Sequence, residues 1–87
     1  MNLTMKKKLA ARKISHQFRL HDNNSALMFA IVRSAIFDIG MSDHLSGVRY
    51  LKSDMPHAEL AHVDADWIRL VLNKVGISLE DDRLCQQ

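Results

Sequence analysis

Lys6, Lys7, Lys8, Arg12, Lys13 and Arg19 all fall within the first 21 residues, and no Asp or Glu stands among them. That segment carries +6, while the remaining residues, six basic and ten acidic, carry −4. A cationic segment on a mildly acidic body attracts polyanions: nucleic acid first, an anionic membrane surface second, an acidic protein third. On nucleic acid such side chains meet phosphates, which sets affinity without sequence preference. A second polar group lies near the other end of the chain. Arg69 and Asn73 are four apart, so a helix puts them on one face with Lys74 beside them. Arg and Asn can each read a base edge through two hydrogen bonds.

Other chemistries find less support. His16 and His21, and likewise His57 and His62, are five apart, whereas helical chelation prefers three or four, so no metal site is expected. Asp43-His44 and the serines are not set in any nucleophile motif, and no glycine-rich phosphate loop occurs. Asp64, Asp66 and residues 80–82 read as helix caps and a solvated tail. No catalytic residue and no cofactor is expected, and 87 residues hold one small domain rather than a catalytic domain beside a second module. The single cysteine, Cys85, precludes an intramolecular disulfide, which fits a cytoplasmic chain. Lys6–Lys8 imitates the charged start of a secretion signal, but Arg12 and Lys13 break the apolar stretch that would have to follow. Residues 26–32 are the longest apolar run, seven residues against the ~20 that span a bilayer.

The elements that must position these residues read as helices. Only three glycines and one proline occur, and no run alternates apolar and polar as a strand does. Five segments follow: residues 4–18, 26–39, 43–52, 56–62 and 67–75. Asn23, Asn24 and Ser25 are candidate caps for the second, with Gly40 closing it. Ser42 is the candidate cap of the third, in which Gly47 costs about 1 kcal/mol relative to Ala. Pro56 suits the first helical position of the fourth. Asp64 or Asp66 caps the fifth, and Gly76 ends it. The expected fold is an all-α bundle of four to five helices. A basic arm at 1–21 precedes a core domain at 22–79, and a tail occupies 80–87.

The second segment is apolar on nearly every side, with Arg33, Ser34 and Asp38 its polar residues, so burial on all sides is expected. If the partner helices are too few, Leu27, Phe29, Ile31 and Phe37 form the interface of a homodimer or receive a host protein.

Residues 56–75 have the length of a helix-turn-helix unit. Ala58 is the small residue at the helix crossing, and Ile68, ten positions on, packs back with Ala61, Val63 and Val71. The turn favours Gly because the chain there takes positive φ. His62 stands in that place and tolerates the geometry better than a β-branched residue. The stretch resembles the helix-turn-helix proteins of phages and other mobile elements. It is also similar to small prophage proteins through Ala30-Ile31-Val32, Ala35-Ile36 and Asp38, then Val63-Asp64-Ala65-Asp66-Trp67-Ile68-Arg69, spanning about residues 25–77. The resemblance implies a DNA-binding regulator whose last helix enters the major groove and turns Arg69, Asn73 and Lys74 to the bases. Asp64 and Asp66 at that helix's start oppose phosphate. The rival expectation is a protein-interaction module, a dimeric adaptor or an inhibitor of a host protein.

Overall fold

The computed structural model describes residues 1–18 and 22–80. Five helices follow in order: α1 Leu3–Ser15, α2 Asn23–Asp38, α3 His44–Lys52, α4 Pro56–Leu60 and α5 Ala65–Lys74. No strand occurs among the described residues, and the fold is all-α. Arg19, His21, Cys85 and the tail beyond Glu80 lie outside the described residues.

In α1 the Asn2 side chain accepts the Met5 amide at 2.9 Å, which caps the helix. Lys7, Ala10, Ala11 and Ile14, spaced three and four apart, form the buried stripe. The helix ends at Ser15, short of the expected Phe18. Phe18 instead turns into the core and packs on Phe29 with ring centroids 5.3 Å apart.

In α2 the cap is Asp22, whose carboxylate accepts the Asn24 amide at 2.9 Å; Asn23 and Asn24 are already helical. The expectation of burial on all sides is overturned. Within the helix only Val32, Ala35 and Ile36 are fully buried, while Leu27 is 59% exposed and Ala30 is exposed. The partner helices cover one side of α2 and leave its opposite side to solvent.

Helix α3 crosses α2 at Gly47. A Cβ there would stand 2.5 Å from the Ala35 carbonyl oxygen and 2.8 Å from the Asp38 Cβ. The weak helix former is therefore what permits the close crossing. The N-cap position is Asp43, which makes no side-chain cap bond, so the Ser42 expectation fails. His44 is buried instead, and its Nδ1 accepts the Gly40 amide at 2.8 Å, tying α3 to the end of α2. Gly40 itself has φ +78°.

The core is formed by Ile14, Val32, Ile36, Ile39, Leu51, Met55, Ile68, Leu72 and Ile77, so all five helices or their ends contribute.

Candidate nucleic-acid interface

The turn between α4 and α5 is built as its sequence implies. Helix α4 ends in a paired closure: the His62 amide donates to the Glu59 carbonyl and the Val63 amide to the Ala58 carbonyl, both at 2.9 Å. This pattern requires a left-handed residue just past the helix, and His62 supplies it with φ +61°. Ala58 and Ile68 are fully buried, Val63 and Val71 are buried with them, and α4 packs on α2. The same closure recurs after α5, where Gly76 has φ +96°, its amide bonds Asn73 and the Ile77 amide bonds Leu72. The Asp64 carboxylate caps α5 by accepting the Asp66 amide at 3.0 Å. Met55, at the start of α4, is also left-handed at φ +45°, a feature the sequence did not announce.

On the outer side of α5 the three candidate base-reading residues separate. Asn73 and Lys74 are exposed. Arg69 is engaged within the fold. Its guanidinium donates to the Leu51 carbonyl at 3.0 Å and the Ser53 carbonyl at 2.8 Å, and pairs with Asp66 at 2.7 Å. A cation on carbonyls at a helix C-terminus satisfies groups that α3 leaves open. The reading of Arg69 as a free base reader is corrected: it fastens α5 to α3.

The basic arm divides in the same way. Lys7 is 4% exposed, and its ammonium donates to the Phe37 carbonyl at 2.9 Å and the Ile39 carbonyl at 2.8 Å. Burial lowers its pKa below the usual lysine value, and the nearby Asp38 charge acts in the opposite direction. Lys7 is thus a cap for α2 and does not reach a phosphate. Lys6 lies along Gly76, with its ammonium 3.5 Å from the Gly76 carbonyl. Lys8, Arg12 and Lys13 are exposed. Arg19 lies outside the described residues.

Lys8 and Arg12 do not stand alone. Together with Ser15 they face Phe29, Arg33 and Phe37 of α2 across an open cleft. Arg33, which sequence reasoning passed over, lies on the Phe37 ring, its guanidinium carbon 4.6 Å from the centroid. Its one sequence signal is that it is the basic residue within the apolar run of α2.

The four candidate interface residues of α2 also part. Phe29 packs on Phe18, and Phe37 lies beneath Arg33, so neither is an open apolar surface. Leu27 is open, and Ile31 is half-buried.

Tyr50 and His57 form a further polar pair between α3 and α4, hydroxyl to Nδ1 at 2.9 Å. Burial raises the Tyr50 pKa, and the His57 hydrogen bond acts the other way. No group of three His, Cys, Asp or Glu suited to a metal ion occurs among the described residues. No helix among them is long and apolar enough to cross a membrane. The chain matches no known protein family, no curated protein and no solved structure.

Proposed function

We propose that this chain is a small, non-enzymatic nucleic-acid-binding protein of the helix-turn-helix kind, a regulator of the sort phages and mobile elements use, working in the cytoplasm. The observation that carries the reading is the α4–α5 corner. Its left-handed His62 turn, with Ala58 and Ile68 buried on either side of it, fits a unit of this kind. Lys8, Arg12 and Lys13 then supply phosphate binding and affinity. Asn73 and Lys74 contribute what sequence preference α5 can provide, with Asn73 the base reader. Arg69 orients α5, and Asp64 with Asp66 limits how closely the start of that helix approaches a phosphate.

The test compares binding to a selected site with binding to a scrambled site, for the parent chain and for Asn73→Ala with Lys74→Ala. The expected result is a weaker preference, by about 1–3 kcal/mol for each bidentate hydrogen-bond pair removed, with non-specific binding retained. An unchanged ratio would leave the corner as scaffolding. No binding to any nucleic acid at low salt would remove the reading.

A second reading is favoured by one observation: Leu27, Ala30 and Ile31 leave an apolar strip of α2 open. Such a strip suits a homodimer or a host protein. Sedimentation at micromolar concentration separates these from a monomer, and Leu27→Asp should dissociate a dimer built on this strip.

A further inference from the structure

We infer that the cleft between α1 and α2 is a phosphate site that holds a phosphodiester strand, with Arg33 as its anchor. The inference rests on the nucleic-acid reading above and gives it a location away from α5.

Three cations from two helices converge there: Lys8 and Arg12 from α1 and Arg33 from α2. Among the described residues no carboxylate lines the cleft, and the ion pairs, Lys52 with Glu80 and Arg69 with Asp66, lie elsewhere. The cations placed on the inner side, Lys7 and Arg69, have each found carbonyls. Arg33 rests on the Phe37 ring, which the Lys7 ammonium also approaches at 5.8 Å from the centroid. Arg33 is exposed, and a guanidinium over an aromatic face can still donate to a phosphate oxygen pair. Lys8 and Arg12 are one turn apart, about 6 Å along the helix, comparable to the step between neighbouring phosphates on one strand. Several cations gathered along one cleft suit a polyanion better than an isolated anion.

An acidic peptide fits less well. Protein partners are held by apolar or aromatic anchors seated in pockets. In this cleft the aromatic surface is already occupied, Phe29 by Phe18 and Phe37 by Arg33. What the cleft offers besides these half-buried rings is positive charge.

The experiment measures binding of labelled single-stranded DNA and RNA as a function of salt, for the parent chain, Arg33→Ala, Arg33→Lys and Lys8→Ala. The slope of log affinity against log salt should fall by about one for each of the two alanine variants and be kept by Arg33→Lys. Equal weakening on DNA and RNA supports recognition of the shared backbone, and weakening on one alone names that strand as the source. If the parent binds nucleic acid and neither alanine variant changes the slope, the cleft is wrong while the general reading stands. If the parent binds none, both fall. Stronger competition by poly-glutamate than by an oligonucleotide of equal charge would overturn the phosphodiester assignment in favour of an acidic protein. Should Arg33→Ala lose its fold, titration of the parent chain with inorganic phosphate decides. Amide shifts over residues 8–15 and 29–37 are expected, and their absence overturns the site.

Discussion

Lys7 and Lys8 are neighbours of one type on one helix, and they have opposite fates. Lys7 turns inward and ends α2 by binding its last carbonyls, while Lys8 turns outward to a cleft that no carboxylate lines among the described residues. The same division separates Arg69, tied to the end of α3, from Arg33, laid on a ring at the surface. Charge of one sign therefore does two jobs in this molecule. The inner cations close helix ends that the chain leaves without partners. The outer cations are what a polyanion can meet. A rotation of about 100° per residue around α1 is enough to move a lysine from one role to the other.

If the inner group is structural, Lys7→Met should cost about 3 kcal/mol, since it leaves two carbonyls near the core without a charged donor. Urea unfolding followed by circular dichroism measures it. The same pair carries a pH signature. The lowered Lys7 pKa means the unfolded chain binds more protons as pH approaches 10.5, so from this group stability rises through that window. Tyr50, with its raised pKa, contributes the opposite slope above pH 10 in both proteins and cancels in the difference. Parent minus Lys7→Met should therefore widen between neutral pH and 10.5, and a flat difference would deny Lys7 its lowered pKa.

The end of α2 that Lys7 closes is also where α3 crosses. Gly47→Ala should lose about 2 kcal/mol net: overpacking against the Ala35 carbonyl costs more than the roughly 1 kcal/mol that helix propensity returns. A more stable variant would show that α2 and α3 separate freely. At the exposed corner, His62→Gly should gain about 0.5–1 kcal/mol by relieving a left-handed side chain, read as a higher melting temperature. Smallest in stability is the outer pair: Lys8→Ala with Arg12→Ala should stay within about 0.5 kcal/mol of the parent while weakening nucleic-acid binding.

What the sequence made legible was local. Asp64 as cap, Pro56 at a helix start, Gly76 past a helix end and His62 in the tight turn each depend on residues within one turn, and the structure has them so. The failures involve distant partners. The carbonyls that engage Lys7 lie 30 and 32 residues away, and those that engage Arg69 lie 18 and 16 away, beyond any spacing rule. Gly47 read as a weak point in a helix because the backbone it admits belongs to α2. One signal was available and unused: Lys7 stands on the stripe with Leu3, Ala10, Ala11 and Ile14, a core position for a lysine. For α2, composition could not say which side its few partners would cover, and Leu27 stayed outside.

Backbone amide shifts recorded while a short oligonucleotide is added at low salt ask directly whether the outer cations meet a polyanion. Shifts should gather at Lys8, Arg12, Lys13 and Arg33, with a second group at Asn73 and Lys74, and should spare the inner hydrogen bonds around Lys7 and Leu51. Shifts confined to Leu27, Ala30 and Ile31, or no shift at all, would contradict the nucleic-acid reading and leave the apolar strip of α2 as the working surface.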